Sequence, residues 1–185
     1  MSTQITTGKA RFSYCNLFTP RAAQEGATPK YSVTLLIPKS DKATIQKIKA
    51  AMDEAKAKYA ANNNGKKLPT NLKNTLHDGD GERPNGGEFG EGCKGCYVIT
   101  VSSNNKPVIV NADKTPLTDS QELYSGCYGR AIINFYVYDT QGNKGISAGL
   151  NGSMKLYDGE PLGGGIVTDS DWDDDWEDED DGLLD

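Results

Sequence analysis

Alternating polar and apolar positions predict two strands within the first forty residues. In residues 9–15, this alternation places Phe12 and Tyr14 on one face and the polar side chains on the other. The second segment, residues 30–37, is rich in β-branched and aromatic residues. It ends at Pro38, which has no backbone N–H to donate to a ladder. Both segments have the length and composition of β-strands.

The spacing of apolar residues then changes to steps of three and four, which predicts one helix over about residues 42–60. Ser40 or Asp41 can cap its first turn. The run of Asn residues and Gly at 62–65 tolerates the left-handed conformation on which helices often end. The predicted buried stripe consists of Ile45, Ile48, Met52, Ala55 and Tyr59.

Short strands resume after residues 65–95, a segment rich in Gly, Asn and Asp that predicts a long loop. The later strands are predicted at 97–101, 107–110, 129–138 and 144–148. Five or more short strands with one inserted helix favour a mainly β fold, a Greek-key barrel of the oligonucleotide-binding (OB) type. A two-sheet sandwich remains the alternative, because counting strands does not separate the two.

Acidic residues are concentrated at the C-terminus. Residues 166–185 hold 11 of the 26 Asp and Glu and no Lys or Arg, so the chain's net charge of −6 conceals a body, residues 1–165, with 20 basic and 15 acidic residues. We expect residues 1–165 to form one OB-type domain. Residues 166–185 have too little apolar surface to offset the entropy of folding, which predicts a disordered acidic tail.

Large apolar residues interrupt this tail. A run of like charges often serves only solubility. Apolar side chains within it reduce solubility, and they predict docking onto a basic, partly apolar pocket of another protein. The predicted partner-binding residues of the tail are Trp172, Trp176, Leu183 and Leu184.

A basic body suits a nucleic-acid strand, which needs Lys and Arg for its phosphates and aromatic rings on which its bases stack. In the strand at 129–138, alternation directs Ile133 and Phe135 to the core and Tyr136 and Tyr138 to the opposite face. The expected nucleic-acid-binding residues lie on or beside the predicted strands: Arg11, Lys30, Lys39, Lys94, Tyr97, Lys106, Tyr128, Arg130, Tyr136, Tyr138, Lys144 and Lys155.

Few residues suit catalysis or metal binding. His77 is the only histidine, and no Ser or Cys near it lies in a recognisable nucleophile motif, so we expect no enzyme and no catalytic residue. Cys93 and Cys96 form a CxxC pair, but a zinc site needs a second pair of ligands that the sequence does not display. We therefore expect no metal and no cofactor. The N-terminus lacks a secretory-signal pattern, which predicts a cytoplasmic protein with reduced thiols.

Seven segments together resemble bacteriophage single-stranded DNA-binding proteins of the OB fold. The segments, with their residue numbers, are KARFSYCNLF (9–18), PKYS (29–32), LIPK (36–39), LHDGD (76–80), YSGCY (124–128), NKGISAGLN (143–151) and DGEPLGG (158–164). They cover most of the body, and their ordered series is more specific than any single match. Related tails often end on an aromatic residue, whereas this chain ends Leu183-Leu184-Asp185.

The resemblance implies sequence-independent coating of single strands during phage DNA replication, recombination and repair, in the cytoplasm of the infected bacterium. It also implies an acidic tail that recruits replication proteins and competes with DNA for the basic surface. A phage structural or assembly protein without nucleic-acid affinity is one alternative, and an RNA-binding protein on the same fold is another. A hydrolase that uses His77 is the third.

Overall fold

The computed structural model describes residues 2–22, 25–65, 68, 72–83, 86–140 and 143–162. Nine strands and one long helix lie within these ranges. In chain order they are β1 (Gln4–Thr6), β2 (Ala10–Arg21), β3 (Lys30–Pro38), α1 (Lys42–Asn62), β4 (Lys73–Asn74), β5 (Leu76–Asp78), β6 (Cys96–Ser103), β7 (Val108–Val110), β8 (Tyr128–Thr140) and β9 (Asn143–Tyr157). In this part of the chain, no helix is long and apolar enough to cross a membrane.

Five of these strands close into a barrel in the order β2, β3, β6, β9, β8 and back to β2. Every contact in this ring is antiparallel except that between β6 and β9, where Ser102 pairs with Gly149 in parallel register. Each barrel strand has a neighbour on both sides, which excludes the open-edged sandwich. The expected OB-type barrel with one inserted helix is therefore confirmed.

The helix begins and ends close to its predicted bounds. The Asp41 carboxylate accepts a hydrogen bond from the Thr44 backbone N–H at 3.2 Å, so Asp41 is the capping residue. The helix packs against β8 and β1 and presents Ile48, which is fully buried, to the barrel. The core continues inside the barrel through Phe12, Phe135 and the inward positions of β3 and β6.

Two predictions about strands were wrong. Residues 65–95 contain β4 and β5 rather than loop alone: β4 pairs in parallel with β9, and β5 pairs with β6. These strands have two and three residues, too few for alternation to be visible. The sequence also gave no sign of β1, which pairs with β8.

The position of Tyr14 is the third correction. Alternation placed Tyr14 on the core face with Phe12, but Phe12 is fully buried and Tyr14 is 64% exposed. The backbone of Tyr14 has φ +49°, and the β2–β3 register shifts between Ser13 and Asn16. This bulge adds a residue to β2 and turns the Tyr14 ring outward.

Candidate nucleic-acid interface

The outer face of strands β2, β3 and β6 is the candidate interface. Inward side chains such as Val33 and Val101 fill the barrel, so their neighbours on the same strands point outward. Thr34 and Thr100 occupy directly opposed positions on β3 and β6, and their hydroxyl oxygens lie 3.2 Å apart. Small hydroxyl side chains leave this face low, with room for a ligand above it.

Two adjoining cavities lie along this face, with volumes of about 630 and 680 Å³. Both are lined by Thr100, so they form one continuous depression, here named the groove. One half is lined by Asn16, Arg21, Ala22, Ala27, Thr28, Lys30, Ser32 and Ser102. The other half is lined by Ser13, Tyr14, Thr34, Leu36, Arg83, Phe89, Gly90, Gly92, Cys93, Val98, Ser125 and Leu162.

The charge of the groove has one sign. Its lining includes Arg21, Lys30 and Arg83, and no Asp or Glu is among the described residues that form it. Arg21 and Lys30 are directly paired across β2 and β3, which places two cations side by side. Elsewhere the Lys and Arg of the described chain do form carboxylate ion pairs, but none of these three does so within 4.0 Å. An anionic backbone would meet uncompensated positive charge here.

Two aromatic rings border the same half of the groove. Tyr14 projects from the β2 bulge, and Phe89 is half-buried beside it in the lining. The Arg83 guanidinium lies over the Phe89 ring at 5.7 Å from the centroid. Rings and cations interleaved along a low face are the equipment that binds single strands, with bases on the rings and phosphates on the cations.

The chain that follows β9 forms one wall of the groove. Residues 158–162, here named the strap, run from the end of β9 across β2 to Leu162 in the groove lining. The Leu162 N–H donates to the Ser125 carbonyl at 2.9 Å. The Arg11 guanidinium donates to the backbone carbonyl of Glu160, and the Tyr124 hydroxyl accepts from the Gly159 N–H at 3.1 Å. These hydrogen bonds hold the strap against the barrel.

Of the twelve residues predicted to bind nucleic acid, the groove lining contains one, Lys30. Lys39 forms ion pairs with Asp78 at 2.7 Å and Asp80 at 2.8 Å. These carboxylates raise the pKa of Lys39 and keep its charge inside a local clasp. Lys144 lies 3.9 Å from Asp139, so it is also opposed by a carboxylate.

Lys155 lies in the interior, with 9% of its side chain exposed. Burial alone would lower its pKa, but contacts with Asp158 at 2.6 Å and Glu122 at 3.0 Å outweigh burial and raise it. Its ammonium also lies over the Tyr124 ring. Lys155 was predicted to extend a surface path, and the structure instead places it in a partly buried ion pair.

The remaining predicted residues are dispersed around the barrel. Arg11 and Arg130 donate to backbone carbonyls, Arg130 to that of Thr7 at 2.8 Å. Lys94 and Lys106 are exposed, Lys106 over the Phe18 ring. Four tyrosines lie outside the groove lining: Tyr97 half-buried beneath Lys39, Tyr128 stacked on Tyr157, Tyr136 beside the end of α1, and Tyr138 over Gly145.

Among solved structures, the single-stranded DNA-binding protein of bacteriophage Enc34 in complex with ssDNA matches this fold with a TM-score of 0.75 at 27% identity, covering 87% of this chain and 90% of that chain. The model of the Enterobacter phage Enc34 ssDNA-binding protein family matches residues 3–184. The chain belongs to this family.

Two further comparisons agree with this family. Protein p50 of Acyrthosiphon pisum secondary endosymbiont phage 1 is 31% identical over 178 residues, 92% of this chain and 93% of p50. The single-stranded DNA-binding protein gp2.5 of bacteriophage T7 has a TM-score of 0.60 at 16% identity, over 94% of both chains, which is a likeness of fold. The resemblance inferred from the seven segments is therefore confirmed.

Sequence reasoning missed four groove residues: Tyr14, Arg21, Arg83 and Phe89. Tyr14 was assigned to the core, Arg21 follows a proline that breaks the strand pattern, and the other two lie in the segment predicted as loop. Arg83 and Phe89 carried one usable signal, because cations and aromatics in a long loop of a compact domain are often functional.

The cysteines and the histidine show no arrangement suited to catalysis. Burial raises the pKa of both Cys93 and Cys96 and keeps them as thiols. Across the described residues, no three His, Cys, Asp or Glu side chains converge on a point that could hold a metal ion. The His77 ring lies 6.3 Å from Phe89, and no Ser, Thr or Cys side chain in the described chain is hydrogen-bonded to it.

Proposed function

We propose that this chain binds single-stranded DNA in the groove without strong sequence preference. The observation that carries the proposal is the lining itself, three cations and two aromatic rings on the outer face of β2, β3 and β6 with no acidic residue among the described members. Phosphates pair with Arg21, Lys30 and Arg83. Stacking on Tyr14 and Phe89 tolerates any base, because every base has a π-face.

Family membership supports the same proposal. The Enc34 relative is a single-stranded DNA-binding protein by name, and it was solved with ssDNA. Binding of this kind needs no catalytic group, so the chain acts by occupying DNA rather than by changing it. It coats single strands exposed in phage DNA replication, recombination and repair, within the cytoplasm of the infected bacterium.

The acidic tail adds two parts to the proposal. Residues 166–185 lie outside the described residues, and the argument rests on their sequence. Eleven carboxylates make the tail an imitation of a nucleic-acid strand, able to compete with DNA for a groove that carries only positive charge. Trp172, Trp176, Leu183 and Leu184 supply apolar contacts through which the tail recruits replication and recombination proteins.

Fluorescence anisotropy of a labelled mixed-sequence single strand tests the proposal. The full chain and a chain ending at Gly165 are titrated at several salt concentrations, with duplex DNA and single-stranded RNA of the same sequence as competitors. We expect tight, salt-sensitive binding that duplex does not displace, and tighter binding by the shorter chain at low salt, where electrostatic competition is least screened.

Each part of the proposal has an outcome that contradicts it. Equal affinity of the two chains removes the competing tail. Displacement by RNA as efficient as by DNA favours an RNA-binding protein. Absence of binding by both chains at low salt contradicts the groove as a nucleic-acid site.

A further inference from the structure

A second exposed aromatic surface lies outside the groove, on the other side of the strap. The rings of Tyr128 and Tyr157 are stacked with centroids 5.1 Å apart, and Tyr157 is 46% exposed. The Lys9 ammonium lies over both rings, 5.6 Å from the centroid of Tyr128 and 5.4 Å from that of Tyr157. These three residues are here named the outer platform.

The outer platform continues the groove in the register of the barrel. Leu36 of the groove pairs with Arg11 on β2, Arg11 pairs with Tyr128 on β8, and Tyr128 pairs with Tyr157 on β9. Residues paired in this way lie side by side across the strands and share one face of the sheet. With neighbouring strands about 4.8 Å apart, three steps place Tyr157 about 14 Å from the groove floor.

The chemistry of the platform matches that of the groove. It offers a flat ring surface to a base and an ammonium to a phosphate. Lys9 forms no ion pair with a carboxylate within the described residues. Nearby Asp41 caps the helix, and Asp158 is held by Lys155, so both carboxylates are already engaged. Glu160 is exposed on the strap between the two sites and is an unfavourable group on this path.

We infer that a bound single strand leaves the groove, crosses the strap and stacks a further base on Tyr157, with Lys9 paired to the adjacent phosphate. This inference rests on the proposed function, since it extends the same strand. It assigns the platform to single strands long enough to reach it. Strands that fill only the groove do not use it.

The test compares two oligonucleotides on the full chain, one of about 4 nucleotides and one of about 12, within the site sizes that single OB folds cover. Tyr157→Ala is expected to weaken binding of the longer strand by at least about fivefold and to leave the shorter strand unchanged. Tyr157→Phe keeps the ring and should retain wild-type affinity for both. Val108→Ala is the matched control, because Val108 is also exposed, at 67%, but lies on β7.

A direct readout accompanies the affinities. The longer strand, carrying 5-iodouracil near one end, is expected to photocrosslink to Tyr157, and mass spectrometry locates the adduct. Wild-type affinity of Tyr157→Ala for the longer strand would overturn the platform and leave the groove proposal standing, as would equal weakening for both strands. Failure of the wild-type chain to bind either strand would instead remove the proposed function, and the inference with it.

Discussion

The cations of the groove and the cations elsewhere on the barrel differ in what opposes them. Arg21, Lys30 and Arg83 face the groove and form no ion pair with a carboxylate in the described chain. Lys39, Lys144 and Lys155 lie equally close to strands, and each has at least one carboxylate within 4.0 Å. Both groups belong to the same positively charged body.

This difference teaches that net charge does not locate a binding face. A paired ammonium has already exchanged water for a carboxylate, and a phosphate gains little by approaching it. An unopposed guanidinium keeps its counterions until a polyanion displaces them, and their release favours binding. The pairing of each cation therefore indicates function more directly than its position in the sequence.

The largest expected effect comes from reversing the charge of the groove. Arg21→Glu combined with Lys30→Glu should weaken single-strand binding on the order of 100-fold at low salt, since two phosphate contacts become repulsions. The slope of log K against log salt should fall by at least about 1.4, at about 0.7 per phosphate on a single strand. Anisotropy across a salt series measures both quantities.

A matched control carries the same change in charge on α1. Lys47 and Lys49 are exposed on the helix, outside the groove lining. Lys47→Glu with Lys49→Glu should lower affinity far less than the groove pair. Equal losses in the two double variants would mean that overall charge, rather than the groove, governs binding.

Removal of the exposed ring at the bulge should have the next largest effect. Tyr14→Ala should weaken single-strand binding about 5- to 150-fold, which corresponds to the 1–3 kcal/mol typical of one base stack. Tyr14→Phe should bind nearly as well as the wild type. Anisotropy at constant salt gives the affinities, and an unchanged Tyr14→Ala variant would exclude this ring from the interface.

The same bulge separates stability from binding. A left-handed backbone at a residue with a side chain costs about 1–2 kcal/mol, and glycine avoids most of it. Tyr14→Gly should therefore have a higher free energy of unfolding than Tyr14→Ala, by about 1 kcal/mol, while binding DNA no better. Urea denaturation of both variants measures the difference, and a less stable glycine variant would contradict strain at φ +49°.

Lys155 should matter for the fold and little for DNA. Lys155→Ala removes charged hydrogen bonds to Asp158 and Glu122, and should lower the free energy of unfolding by about 1.5–3 kcal/mol. Single-strand affinity should stay within about twofold of the wild type, a change below about 0.4 kcal/mol. A large loss of affinity without a loss of stability would restore Lys155 to the binding surface.

The Lys155 ion pair also predicts a dependence on pH. Lys155 and Tyr124 hold the pKa of Asp158 below its ordinary value. A carboxyl whose pKa is lower in the folded state stabilises the fold above its unfolded pKa, about 3.9, and this contribution is lost as the pH falls through the folded value. Urea denaturation at pH 7 and pH 3 should show a smaller acid-induced loss in Lys155→Ala than in the wild type.

The smallest effect should come from Lys39. Its side chain is 35% exposed, and exposed ion pairs contribute about 0–1 kcal/mol. Lys39→Gln should lower the free energy of unfolding by less than about 1 kcal/mol and leave DNA affinity unchanged. Thermal and urea unfolding measure the first expectation, and a marked loss of affinity would place Lys39 on the DNA path.

Local patterns predicted the parts of the fold that depend on local physics. Asp41 as cap, the apolar stripe around Ile48 and the inward side of β8 with Phe135 all follow from three- or two-residue periods. Strands of two or three residues escape such periods. The Tyr14 bulge defeats them as well, because one extra residue moves a side chain to the opposite face.

The groove depended on contacts that no local pattern contains. Arg21 meets Lys30 through a hairpin register, and Arg83 with Phe89 reaches the β2 bulge only after β5 has paired with β6. Lys155 likewise finds Glu122, which lies 33 residues earlier. Composition correctly indicated a basic body, but the choice among its cations required the tertiary structure.

The position of Leu162 has a consequence for concentration. Because the strap ends in the groove wall, the acidic residues that follow start beside the site for which they are proposed to compete. Such a tethered competitor has a local concentration set by the length of chain between anchor and site, typically millimolar for short flexible links. Dilution of the protein would not relieve it. Titration with DNA or capture by a partner would, so the response would depend on how much single strand is exposed rather than on how much protein has accumulated.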